Sequence, residues 1–180
     1  MMLSLIYQIK NMKLEEAKQE FIDAWGTFGS HWGINRTMAQ IHALLLVSDE
    51  PISTDEVMEK LGVSRGNANM NLRALIDWNL IERKLKKGER MEYFSAEKDI
   101  WKVAVRIIRE RRKKEIDPMR QTIKSLMDID DKNEKKDEYK QFITMLKDID
   151  EFANAADKIT DKLVLSDKGW FFISLMKMMS

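Results

Sequence analysis

The chain has 180 residues, with 31 Lys and Arg against 30 Asp and Glu and a formal net charge of +1, so total charge marks it as neither a polycation nor a polyanion. It contains no cysteine, which excludes disulfides, thiolate metal sites and a cysteine nucleophile and suits a reducing cytoplasm, the expected location. The 44% of hydrophobic and 34% of charged residues suit a helix-rich protein, either one ordinary domain or a compact module with a helical extension.

The stretch Met1 to Tyr7 is too short and lacks the basic start expected of a signal peptide. The apolar tract Trp170 to Met176 is too short to span a bilayer. Both read as segments that pack on a partner subunit, and no membrane association is expected. From Lys13 to Trp32 the residues Leu14, Ala17, Phe21, Trp25, Phe28 and Trp32 recur at helical spacing, which predicts a first long helix. Gly26, Gly29 and Gly33 lie on or beside that face, where small residues permit close helix contact. A second helix is predicted over Arg36–Ser48, opened by a capping box from Thr37 to Gln40 and turning Ile41, Leu44 and Leu45 inward.

The stretch Pro51 to Ser95 reads as a winged helix-turn-helix. Ser53 and Glu56 form a capping box, followed by a short helix anchored by Val57, Met58 and Leu61 that ends at Gly62. Ser64 is a good N-cap for a helix running to about Trp78, with Ala68, Leu72 and Leu75 on its buried stripe. Two short helices joined by a glycine-bearing turn have helix-turn-helix spacing. Ile81, Arg83 and Leu85 then alternate with Glu82 and Lys84, and a second alternation starts at Met91 after the tip Lys86-Lys87-Gly88-Glu89-Arg90. This predicts a β-hairpin with a basic tip, the only strong strand signal in the chain.

Beyond the hairpin, Asp99 caps a helix with Ile100, Val103, Ala104, Ile107 and Ile108 in one stripe, and the pattern resumes with Ile116, Met119, Ile123, Leu126 and Met127. Pro118 should kink or restart it. Residues 128–138 form a charged connector, after which Phe142, Leu146, Ile149, Phe152, Ala156, Ile159 and Leu163 mark a last helical tract. These stripes exceed what a small winged helix covers, so the economical cover is the same region of a second copy. The alternative is a self-contained bundle in a monomer.

Charge is patterned although its sum is small. Lys60 to Arg90 holds eight basic and three acidic residues, Ile100 to Lys114 seven and one, and Asp128 to Asp157 five and ten. A basic winged helix with an acidic distal part suits a module that docks on nucleic acid. The run Arg109 to Lys114 reads as a solvated helix face ahead of a DNA contact.

The expected fold class is therefore mainly α (α+β): residues 1–35 as an N-terminal dimerisation and support helix, 36–97 as a winged helix-turn-helix with a β-hairpin wing, and 98–180 as a helical dimerisation region. Arg65 and Arg73 suit bidentate bonds to guanine, and Asn67, Asn69 and Asn71 suit adenine. Ser53 and Ser64, at helix N-termini, suit phosphates, and Lys86, Lys87 and Arg90 suit the adjacent backbone or minor groove. Double-stranded DNA is the expected partner, and a two-fold dimer implies an inverted-repeat operator with half-sites about one helical turn apart. The competing class is a winged-helix module that binds protein without DNA. An enzyme is not expected. His31 and His42 fall in different helices, no phosphate loop or metal signature is present, and no catalytic residue, metal or cofactor is anticipated.

Val63-Ser64-Arg65-Gly66-Asn67-Ala68-Asn69-Met70-Asn71-Leu72-Arg73-Ala74-Leu75, followed by Trp78-Asn79-Leu80-Ile81-Glu82-Arg83, resembles the MarR superfamily of transcriptional regulators, and within it the GbsR-like branch. The resemblance implies a homodimeric regulator, with repression its expected sense. Asn79 departs from it, standing where the family usually has glycine, but asparagine also tolerates the left-handed turn. The resemblance also implies a small-molecule effector held between dimer helices and winged helix. Trp25, Phe28, Trp32 and Trp101 offer aromatic material there, although aromatics at this spacing also read as core. An aromatic cage would favour a cationic compound such as a quaternary ammonium osmolyte.

Overall fold

The computed structural model describes residues 12–85, 88, 91–129 and 136–165. The tip residues Lys86, Lys87 and Arg90, and the apolar tract from Trp170, lie outside them. The chain divides into two compact units, the first ending at Ile100 and the second starting at Trp101. The first long helix thus belongs with the winged helix.

In the first unit, α1 (Leu14–His31) and α2 (Arg36–Val47) pack together and precede β1 (Ile52–Ser53), α3 (Thr54–Leu61), α4 (Arg65–Asp77), β2 (Ile81–Leu85) and β3 (Glu92–Ala96). Helix α2 is the centre of the core. From Met38 to Leu45 all its residues but Gln40 are buried, as expected of a helix covered on every side. It packs against α1, α3, α4 and β3, and Ile41, Leu45, Val57, Leu72 and Leu75 are fully buried. Its N-cap is Asn35, whose side chain accepts a bond from Met38 N. The expected box from Thr37 is therefore displaced by two residues, and Gln40 instead donates to Asp23 at 3.0 Å. At the other end Lys98, from beyond the wing, donates to the carbonyls of Leu45, Leu46 and Ser48 at 2.9, 2.7 and 2.7 Å. Its ammonium group caps the helix C-terminus, where the dipole favours a cation.

The α1 stripe read from the sequence is not the packed face. Ile22, Gly26 and Gly29 are the buried residues of α1, while Leu14, Phe21, Phe28 and Trp32 are exposed. The glycines explain the rotation. A Cβ on Gly29 would stand 2.6 Å from Ala39 Cβ, and one on Gly26 2.5 Å from Gln40 Cγ. Bare backbone therefore meets α2 there, and the aromatic stripe is left beside the contact.

The sheet has the order β1-β3-β2, antiparallel throughout, with Ile52 opposite Phe94 and Ile81 opposite Ala96. β1 was not expected. On β2 only Ile81 is buried and Leu85 is 71% exposed, so the hairpin's inward residues are Ile81, Phe94 and Ala96 rather than the alternation through Leu85.

The second unit comprises the remainder of α5 (Ile100–Arg111), a π-helical turn over Arg112–Ile116, α6 (Asp117–Met127) and α7 (Lys136–Leu165). Pro118 stands in the first turn of α6, where its missing N–H costs no intrahelical bond, so the chain restarts there through the widened turn before it. Arg120 ties α6 to α7, donating to Asp150, Asn154 and Asp157. Arg112 pairs with Asp157 and Asp161, both at 3.1 Å. Ile123, Leu146 and Ala153 are buried, so Ala153 and not Ala156 faces inward. Phe152 (76%), Ile159, Met145, Met119, Phe142, Ile108 and Ile116 are exposed.

Candidate nucleic-acid interface

The candidate interface is built by two caps and two turns. At α3 the Ser53 hydroxyl accepts from Glu56 N at 3.3 Å and donates to Glu56 Oε2 at 2.8 Å, while Glu56 accepts from Ser53 N at 2.7 Å. The capping box is thus formed, with Val57 the fully buried anchor and Met58 and Leu61 half-buried. Gly62 adopts φ 63, ψ 32 and ends the helix. A residue with a Cβ would be strained there. Ser64 then caps α4, accepting from Asn67 N at 3.3 Å. Asn79 turns the chain out of α4 with φ 56, performing the role of the expected glycine.

Helix α4 has two sharply different faces. Ala68, Asn71, Leu72 and Leu75 are buried. Ser64, Arg65, Gly66, Asn69, Met70 and Arg73 are exposed, and Asn67 is half-buried. The structure thus brings Ser64, Arg65, Asn69 and Arg73 to one presented surface and removes two expected contacts from it. Asn71 is 3% exposed and donates to the Asn67 carbonyl at 2.9 Å and to Asn67 Oδ1 at 2.7 Å, so its amide is spent inside the protein. Ser53 is also 3% exposed, and its hydroxyl serves the cap. Sequence spacing could have found the first case, because Asn71 lies three residues after Ala68 and four before Leu75, within the inward stripe. Met70, outward and 60% exposed, was missed.

Arg65 Nη2 stands 2.5 Å from Asp55 Oδ1, with both side chains more than half exposed. The carboxylate of the preceding helix therefore holds the first guanidinium of α4. On the wing, Arg83 pairs with Glu92 across the strands at 2.7 Å and Lys84 with Glu82 at 2.6 Å. Gly88 has φ 88, as a tight tip requires.

The aromatic residues expected around an effector are divided. Phe21, Trp25, Phe28 and Trp32 form a ladder along α1, with successive ring centroids 5.5, 5.9 and 5.4 Å apart. Trp101 belongs to the second unit. A cavity of about 440 Å³ in the first unit is lined by other residues, among them Glu15, Lys18, Ile22, Leu44, Asp49 and Lys60. His42 is buried beside Trp25, ring centroids 6.4 Å apart. Burial pushes its pKa down to about 4, so it is neutral at physiological pH. Among the described residues no group of His, Cys, Asp and Glu could hold a metal ion, and no helix is long and apolar enough to cross a membrane.

Comparison with known proteins bears on this geometry. Residues 32–90 match the model of the MarR family. The chain is 28% identical over 89 residues to the HTH-type transcriptional repressor GbsR of Bacillus subtilis (strain 168), covering 49% of each protein. It is 22% identical over 92 residues to the HTH-type transcriptional repressor OpcR of the same organism, covering 51% of this chain and 50% of the relative. The matches span about half the length of these relatives. The fold is similar to that of a crystal structure of a transcriptional regulator, with a TM-score of 0.64 at 21% identity, over 82% of this chain and 95% of the other.

Proposed function

We propose that the chain, whose residues 32–90 match the MarR family model and which is similar to the repressor GbsR, is a winged helix-turn-helix regulator of that family, a sequence-specific repressor that binds an inverted-repeat operator as a homodimer. Helix α4 enters the major groove, and Arg65, Asn69 and Arg73 read base edges there. Asn67 contributes at the rim, and Ser64 with the first turn of α4 holds a phosphate. Lys86, Lys87 and Arg90 meet the neighbouring backbone or minor groove. Asn71 and Ser53 are left out of the contacts because both are buried. Repression is proposed by likeness to GbsR and OpcR, both named as repressors. The exposed apolar residues of the second unit support pairing of two copies. The ladder of Trp25, Phe28 and Trp32 is the surface offered to a cationic effector, whose charge would meet the negative faces of the rings.

The observation that carries the reading is the outward set Arg65, Asn69 and Arg73 on a 13-residue helix capped at Ser64 and placed by the left-handed turn at Gly62. The test is an operator recovered by selection from random duplex, then bound by wild type and by Arg65→Ala and Arg73→Ala. Each variant should lose about 1–3 kcal/mol on the operator and relax preference at one base position, with random duplex affected much less. Unchanged affinity and preference in both variants would refute the placement of α4. Failure to select or bind any duplex at low salt would favour a protein-binding winged helix.

A further inference from the structure

The presented face of α4 carries one large apolar residue and one gap. Met70 is 60% exposed and faces away from Ala68, Leu72 and Leu75, so it adds little to the core. A lone exposed methionine is ordinary, but its neighbour one turn earlier is Gly66, also exposed. A Cβ at Gly66 would meet nothing within 4 Å, and Gly66 is not among the glycines with positive φ. Neither crowding nor backbone conformation requires a glycine there, although glycine weakens a helix relative to alanine. The gap is therefore useful only for something that approaches from outside, since glycine is the residue that lets a backbone come close to a ligand.

Positions 66 and 70 are four apart and lie one above the other on the helix. Helical side chains lean toward the N-terminus, which directs Met70 over the place that Gly66 leaves open. Around them stand Arg65, Asn69 and Arg73, all exposed. The first turns of a recognition helix come nearest to base edges. Among the groups that unmodified DNA presents in the major groove, the C5-methyl of thymine is the apolar one, and a thioether chain is flexible and polarizable enough to pack on it.

We propose that Met70 is a specificity-determining residue that packs on the C5-methyl of a thymine in each half-site, and that Gly66 leaves room for that base edge to approach the helix. The proposal rests on α4 being the recognition helix. Deoxyuridine tests it directly, because it keeps every hydrogen-bonding group of thymidine and lacks only the methyl. In the selected operator each half-site thymine is replaced by deoxyuridine, symmetrically and one position at a time. Binding is measured by fluorescence anisotropy for wild type, Met70→Ala, Arg65→Ala and Arg73→Ala.

At one position wild type should lose about fourfold per half-site, and Met70→Ala should respond to that replacement by less than twofold. Met70→Ala should melt with the wild-type midpoint, as expected of an exposed side chain. Three results would overturn the proposal: no invariant thymine in the half-site, no wild-type response at any position, or full sensitivity retained by Met70→Ala. If instead Arg65→Ala and Arg73→Ala leave operator discrimination intact, the recognition-helix reading has failed and takes the proposal with it. If both arginine variants lose discrimination while Met70→Ala keeps its sensitivity to the methyl, the proposal alone has failed.

Discussion

His42 carries its imidazole into the core of the first unit, where Nε2 has no hydrogen-bond partner and burial lowers its pKa from 6.5 to about 4. The unfolded chain takes up this proton near pH 6.5 and the folded chain only near pH 4. The contribution to stability is therefore complete above pH 6.5 and is lost as pH falls from 6.5 to 4. Its size is on the order of 3 kcal/mol. Urea unfolding at pH 7 and at pH 4.5 should show wild type losing about 2–3 kcal/mol more than His42→Leu between the two conditions. Parallel losses would show that His42 is not the group responsible. At this scale the sequence shows chemistry better than placement. Arg65, Asn69 and Arg73 were expected from their chemistry to face bases, and the structure leaves all three exposed. Asn71 was misplaced because its polarity outweighed its position in the stripe of Ala68, Leu72 and Leu75. Ser53 was correctly seen as a cap, but the same bonds that cap α3 leave its hydroxyl none for a phosphate. The bond between Asp55 and Arg65 joins two helices across a turn, and no local pattern announces it.

Helices α3 and α4 were legible nearly to the residue because their signals are local: Ser53 with Glu56, Gly62, Ser64 and Asn79 each act within one turn of themselves. What was not legible depends on residues far away in sequence. β1 exists only through its pairing with β3, some 40 residues on. Lys98 caps α2 from 50 to 53 positions away. The packed face of α1 is fixed by where α2 can come closest, so a regular aromatic stripe misled where two glycines decided. This makes Gly29 sensitive. A Cβ there would lie 2.6 Å from Ala39 Cβ, on a short side chain that cannot swing aside. Gly29→Ala should therefore destabilise by about 1–3 kcal/mol, although alanine favours a helix by about 1 kcal/mol over glycine. Gly66→Ala, with open space around it, should follow propensity and stabilise by up to about 1 kcal/mol. Thermal or urea unfolding of the two variants checks the contrast. Equal stabilisation of both would show that close approach does not set the α1–α2 contact.

For the whole molecule, the two units differ in how well they cover themselves. The first has a continuous core around α2, with Ile41, Leu45, Val57, Leu72 and Leu75 fully enclosed. The second is ordered by polar bonds of Arg120 and Arg112 to α7, yet leaves Phe152, Ile159, Met145 and Met119 in solvent. Long apolar stripes were legible in the sequence, and their exposure among the described residues is what a second copy would remedy. In the proposed function, two copies of α4, held at a fixed separation by such a dimer, read an inverted repeat. The most direct measurement is affinity for the selected half-sites as the spacer between them is varied one base pair at a time. Affinity should peak sharply where half-site centres lie about 10 base pairs apart and fall on either side, because both helices must enter major grooves on one face of the duplex. Equal affinity at every spacing, or a selected site with no inverted repeat, would show that no rigid two-fold dimer sets the separation of the two helices.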